Sequence, residues 1–236
     1  MDNKEFVSEN AKGNTVSSVN QVASNIIVTK SEGAKLKVLF VGNSITRHAT
    51  APQIGWYGDW GMAASSRETD YVHQTVADIE KKVGPIEYCI AQLSCWENEY
   101  YDGSRVLNEK FEFVRDFAAD LVIIRIGENI NRDTNKEINC KPFFDEMIKF
   151  VSGKNPNAQI IVTDNFWRIE VLNKIFEEVA AENGYTICKI GDLEQDEKTM
   201  AIGQFEHRGV SLHPSDYGMR KIADRIVEKI DFTPYL

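Results

Sequence analysis

Ser44, Asn129 and His213 are the residues of this chain whose types and places suit acyl-transfer chemistry. Ser44 stands just past an apolar run, in Lys35-Leu-Lys-Val-Leu-Phe-Val-Gly-Asn-Ser-Ile-Thr46. Asn129 follows a second such run, Leu121-Val-Ile-Ile-Arg-Ile126, in Gly127-Glu128-Asn129. His213 lies in Leu212-His-Pro-Ser-Asp-Tyr-Gly218, before the last helix-like segment. A serine hydroxyl is a poor nucleophile at neutral pH and needs an imidazole base within hydrogen-bond reach. It also needs donors aimed at the oxyanion, and losing one such donor typically costs ~10²–10³ in rate. The backbone N–H groups of Ser44 and Gly61 and the side-chain amide of Asn129 are the candidate donors.

Elements of the right kind are present to position these groups. Short apolar runs bounded by turn residues read as buried strands: Leu36–Val41, Ile86–Ile90, Leu121–Ile126, Gln159–Thr163 and Tyr185–Ile190. Between them, apolar residues three and four apart predict helices over Tyr71–Val83, Val106–Ala118, Pro142–Val151, Arg168–Glu182 and Ser215–Ile230. Asn183-Gly184 reads as a helix C-cap, and Pro214-Ser215 suits a helix start. Strands alternating with helices imply a parallel sheet covered on both faces, a three-layer α/β/α sandwich. Ligands of such sheets bind beyond the carboxyl ends of the strands. The two longest irregular stretches, 43–70 and 92–104, follow the first two strands and lie at that edge. Residues 1–34 are polar and read as an arm with one short strand over Ala23–Val28; residues 35–236 form the main domain.

Composition narrows the class. The 236 residues are 42% hydrophobic and 27% charged, ordinary for a globular protein. With 27 Lys+Arg against 36 Asp+Glu the net charge is −9, which argues against nucleic acid or an anionic membrane as partner. No apolar stretch approaches the ~18 residues of a membrane span, and the first residues lack the pattern of a signal peptide. The chain as it stands reads as cytoplasmic; removal of an export signal would make it secreted. Cys89, Cys95, Cys140 and Cys188 form no C-x-x-C pair, and Cys89 and Cys188 read as small buried hydrophobes. No H-E-x-x-H, phosphate-loop or dinucleotide fingerprint occurs, so the reading calls for no metal and no cofactor. The G-x-S-x-G elbow of the α/β-hydrolases is also missing.

In order, the blocks Gly42-Asn43-Ser44, Gly61, Gly127-Glu128-Asn129 and His213-Pro214 resemble those of the SGNH (GDSL-type) hydrolase superfamily, over residues from about 36 to 230. The first block is usually G-D-S and the third G-x-N-D; here asparagine replaces the first aspartate and Ile130 the second. Gly61 is the weakest match. The resemblance implies a flavodoxin-like five-stranded parallel sheet of order 2-1-3-4-5. It also implies hydrolysis of an ester through an acyl-Ser44 intermediate, with His213 as base.

The main departure is Val210, where the family usually carries the aspartate that orients the histidine. Three readings follow: a backbone carbonyl near Ser211 holds the imidazole as part of a dyad; Glu206, Asp164 or Asp216 substitutes; or the chain has kept the fold without turnover. Several flanking residues have two readings each. His48 lines the pocket or is a solvated loop residue; His73 is structural; His207 matches no motif. Glu128 binds a substrate hydroxyl or pairs with Arg125 or Arg132. Trp56, Tyr57, Trp60 and Trp96 form a platform for sugar rings or simply pack the loops. The expected activity is a serine esterase acting on small acyl esters, O-acetyl groups on carbohydrate foremost. The alternatives are a lysophospholipase or short-chain lipase, and a glycan-binding relative without catalysis.

Overall fold

A computed structural model describes residues 25–236. Among these residues six strands form one sheet: β1 (Ile26–Thr29), β2 (Lys37–Gly42), β3 (Glu87–Gln92), β4 (Leu121–Arg125), β5 (Gln159–Thr163) and β6 (Thr186–Cys188), in the order β1-β3-β2-β4-β5-β6. β2 to β6 are parallel, and their order is the 2-1-3-4-5 implied above. The sixth strand corrects the expected five: β1 comes from the segment anticipated as one short strand and pairs antiparallel with β3, Ile26 opposite Ala91. Residues 1–24, the rest of the expected arm, lie outside the described residues.

The alternation within β2 shows why the sheet is buried on both faces. Val38 and Phe40 enter one core with α1 (Tyr71–Val83) and the last long helix, Asp216–Lys229. Leu39 and Val41 enter the other, with helices Gly103–Lys110, Lys141–Ser152 and Glu170–Asn183. All four side chains are fully buried, each worth roughly 1.5–3 kcal/mol relative to exposure. Such a strand reads as an unbroken apolar run because neither face meets water.

Helix boundaries agree with the expected ones to within two residues except at one place. The segment Val106–Ala118 is two helices, Gly103–Lys110 and Glu112–Phe117, broken at Phe111 (φ −128°, ψ 17°). The bend lets Phe111, Val114 and Phe117 join Val106 and Leu107 in a single core, and Ala118 ends the second piece in a left-handed conformation (φ 52°). The Glu170–Asn183 helix closes on Gly184 (φ 72°), whose N–H returns to the Ala180 carbonyl. At the Asp216–Lys229 helix, Ser215 accepts from the Gly218 N–H and so anchors the chain just past His213. The stretch 92–104 is less irregular than expected, since it contains α2 (Ser94–Asn98).

Candidate active site

β2 delivers Ser44 to the carboxyl edge through a tight turn in which the N–H groups of Thr46 and Arg47 both donate to the Asn43 carbonyl at 3.0 Å. Gly42 is required there, because a Cβ would fall 1.8 Å from Thr46 Oγ1 and 2.7 Å from the Arg125 carbonyl oxygen. The following loop folds back on the turn: Met62 N–H donates to the Ser44 carbonyl at 2.9 Å and His48 N–H to the Trp60 carbonyl at 2.9 Å. Ser44 Oγ lies 2.8 Å from His213 Nε2.

His213 follows the short helix Arg208–Ser211, and its N–H donates to the Val210 carbonyl at 2.9 Å. Its Nδ1 is 2.7 Å from the Gly209 carbonyl oxygen. A carbonyl only accepts, so Nδ1 carries the proton and Nε2 is left to accept from the Ser44 hydroxyl. Burial pushes the His213 pKa down to about 4, against the Gly209 hydrogen bond, which raises it; the Arg125 charge lowers it further. The imidazole is therefore neutral at pH 7. Trp167 packs edge-on against it, ring centroids 4.9 Å apart, and its Nε1–H donates to the Leu212 carbonyl at 3.2 Å.

The third block turns at Gly127 (φ 132°), a conformation that favours glycine; a Cβ there would also meet Phe176 at 2.5 Å. Behind it sits a carboxylate that the sequence reading missed. Glu97, on α2 and fully buried, accepts from Gly127 N–H at 2.7 Å, Asn129 N–H at 3.1 Å, Asn129 Nδ2 at 2.6 Å and Asn43 Nδ2 at 3.1 Å. Burial and the charge of Glu128 push Glu97 up to about 7, against the pull of those hydrogen bonds. Asn43 joins this carboxylate to a second one, since its Nδ2 also donates to Glu128 at 2.7 Å while its Oδ1 accepts from Arg125 and from Ile45 N–H. Burial raises the Glu128 pKa, but its 2.6 Å pair with Arg125 and the donors Asn43 and Phe166 N–H outweigh burial and leave it below its usual range.

Several expected residues are elsewhere engaged. The Gly61 N–H donates to the buried Asp70 carboxylate at 3.1 Å, so it supports the turn and is not offered to an oxyanion. Among the described residues no side-chain acid holds His213: Asp164 accepts from Ile190 and Gly191 N–H, and Asp216 accepts from Ser65. Glu206 is exposed. The holding carbonyl is that of Gly209 and not one at Ser211, because Nδ1 reaches back one helical turn. Val210 points into the core and is fully buried.

Glu128 is an ion-pair partner behind the site, not a surface for substrate hydroxyls. Trp56 and Trp60 are 2% exposed and Trp96 0%, so they pack the loops and form no sugar platform. Trp56 and Trp60 pack edge to face and bond the His48 and Ala64 carbonyls, while Trp96 is enclosed by Tyr100 and Phe144. His48 stays close enough to His213 for their charges to interact, with its Nδ1 on the Ala49 carbonyl at 2.6 Å; burial lowers its pKa.

Two donors remain for an oxyanion: the Ser44 N–H, which has no acceptor among the described residues, and the second Asn129 Nδ2 proton. Among the described residues no group of three or more His, Cys, Asp or Glu is placed to hold a metal, and no helix is long and apolar enough to cross a membrane.

No protein-family model matches the chain, and no curated protein sequence matches it. Solved structures do. The chain is similar to an acetylxylan esterase from Geobacillus stearothermophilus (TM-score 0.52, 17% identity, 85% of this chain and 96% of that one). It is similar to a lipase/acylhydrolase from Enterococcus faecalis (TM-score 0.52, 16% identity, 83% and 95%). It is also similar to phospholipase A1 from Streptomyces albidoflavus NA297 (TM-score 0.56, 13% identity, 83% and 99%). At these identities the likeness is one of fold, and the fold is the α/β/α sandwich that the SGNH blocks imply.

Proposed function

We propose that this chain is a serine ester hydrolase working through a Ser44–His213 dyad, with small O-acyl esters, carbohydrate O-acetyl groups foremost, as substrates. The observation that carries the reading is the relay Ser44 Oγ–His213 Nε2 at 2.8 Å and His213 Nδ1–Gly209 O at 2.7 Å, at the carboxyl edge of the sheet. His213 Nε2 takes the Ser44 proton as Oγ attacks the acyl carbonyl. The Ser44 N–H and the free Asn129 amide proton meet the developing oxyanion. The imidazolium then protonates the departing alcohol, and water, activated by the same nitrogen, releases the acyl group. Gly209 supplies the orientation that a carboxylate usually gives, but only a dipole to stabilise the imidazolium.

Trp56, Trp60 and Trp96 are buried and offer a sugar ring no surface. The carbohydrate O-acetyl preference is supported by the fold that the chain shares with the acetylxylan esterase. Initial rates on p-nitrophenyl acetate, acetylated xylo-oligosaccharides and a lysophospholipid test both levels. Turnover of the first two above the third is expected. Preference for the lysophospholipid would move the substrate class to lipids, and hydrolysis of none would overturn the proposal.

The pH profile follows from His213. Only the neutral imidazole can act as base, so kcat/KM is expected to persist well below the ordinary histidine value of 6.5 and to fall with a midpoint near 4. The same burial makes the fold pH-sensitive: neutral His213 carries no penalty above pH 6.5, and stability is lost as pH falls from 6.5 toward 4, where the unfolded chain takes up the proton and the folded one does not. A kcat/KM limb at 6.5 or above on p-nitrophenyl acetate would contradict the buried, neutral His213.

A further inference from the structure

We propose that Glu97 is the positioning residue of the oxyanion site, its carboxylate gathering the N–H groups of the 127–129 loop and turning one Asn129 amide proton toward the substrate. The inference rests on Asn129 being an oxyanion donor, as above. Three of the four hydrogen bonds that Glu97 accepts come from this loop: Gly127 N–H at 2.7 Å, Asn129 N–H at 3.1 Å and Asn129 Nδ2 at 2.6 Å. The backbone and the side chain of Asn129 are thus held by one carboxylate, Oε1 taking the first and Oε2 the second.

The chemistry of the pair sets the amide orientation. Above pH 7, where the Glu97 carboxyl is ionised and only accepts, an Asn129 side chain turned by 180° would set its Oδ1 against Oε2 of the fully buried Glu97, acceptor against acceptor. Glu97 therefore selects the rotamer in which Nδ2 faces it, and the second proton on that nitrogen is directed away, free for an oxyanion. A preorganised donor of this kind acts on the charge of the transition state more than on the bound ester. Glu97 is itself fixed by its place on α2, between the fully buried Trp96 and the loop it holds. It touches no reacting atom; its effect passes through Asn129.

The experiment is a double-mutant cycle on p-nitrophenyl acetate with wild type, Glu97→Gln, Asn129→Ala and the double variant. Glutamine sets an N–H₂ group against N–H groups that all donate to position 97, so Glu97→Gln is expected to lower kcat about 10²-fold with KM little changed. In the Asn129→Ala background the same change is expected to cost at most about threefold, because residues acting through one another are not additive. Multiplicative losses, or a Glu97→Gln kcat within about threefold of wild type, would overturn the proposal.

A readout on the wild type guards against a variant that fails to fold. The Asn129 side-chain amide, assigned in ¹⁵N–¹H spectra by its loss in Asn129→Ala, is expected to show one proton far downfield and the other at an ordinary shift. Two ordinary shifts would overturn Glu97's hold. Hydrolysis abolished by Ser44→Ala but untouched by Glu97→Gln rejects the positioning role alone. A wild type that hydrolyses no ester rejects the ester-hydrolase reading, and the oxyanion role goes with it.

Discussion

Replacing Ser44 or His213 by alanine is expected to lower kcat/KM for p-nitrophenyl acetate by about 10⁴-fold or more. The two substitutions together should cost little more than either alone, since nucleophile and base act as a unit. In the proposed dyad, the 2.8 Å contact between Ser44 Oγ and His213 Nε2 makes each ineffective without the other. The same experiment separates the dyad from a triad. Glu206→Gln, Asp164→Asn and Asp216→Asn are each expected to stay within a few-fold of wild type, because the acceptor on His213 Nδ1 is the Gly209 carbonyl. Asp164 faces the Ile190 and Gly191 N–H groups, and Asp216 faces Ser65. A hundredfold loss on neutralising any one of the three would show that a carboxylate reaches the imidazole during turnover.

Asn43→Asp is expected to destabilise the protein by roughly 3 kcal/mol or more at pH 8, although it turns Gly42-Asn43-Ser44 into a G-D-S block. Asn43 Nδ2 donates to Glu97 at 3.1 Å and to Glu128 at 2.7 Å in a buried cluster. An aspartate would set a carboxylate oxygen against two carboxylates. Its other oxygen would gain a charged contact with Arg125, but Arg125 is already paired with Glu128 at 2.6 Å. One improved contact is thus set against two lost donors and added like charge, and the losses prevail. For a domain of this size the deficit corresponds to a fall in Tm of about 10 °C. It should shrink as the pH is lowered toward 5, since protonating one carboxylate restores a donor. An unchanged Tm at pH 8 would contradict this account of why asparagine stands at 43.

The structure gives physical reasons for the residues at two positions, 43 and 210. Asparagine stands at 43, where Glu97 and Glu128 both take a donor from it. Position 210 faces the core, where valine packs, and Nδ1 of His213 turns to the Gly209 carbonyl instead of a side chain at 210. A search for carboxylates could not find Gly209, since every residue has a carbonyl and nothing in a side-chain pattern marks the one that will be used. Glu97 had a faint signal, a glutamate beside Trp96 in a segment expected at the site edge, but the tryptophan drew the functional reading and proved to be packing. Trp167 gave no signal; it is set against His213 by a loop after β5 far away in sequence.

What the sequence determined by itself was what repeats locally. Apolar runs marked the five parallel strands, the three- and four-residue spacing marked the helices, and turn residues at strand ends marked where Ser44 and Asn129 emerge. Periodicity is a property of neighbouring residues, and burial of one face or both enforces it. The tertiary structure decided which acceptor holds His213, that Gly61 serves Asp70, and that Glu97 holds Asn129. Those outcomes depend on the distance and direction between atoms on segments remote in the chain. A hydrogen bond is gained or lost within a few tenths of an ångström, a scale fixed only when the layers pack together.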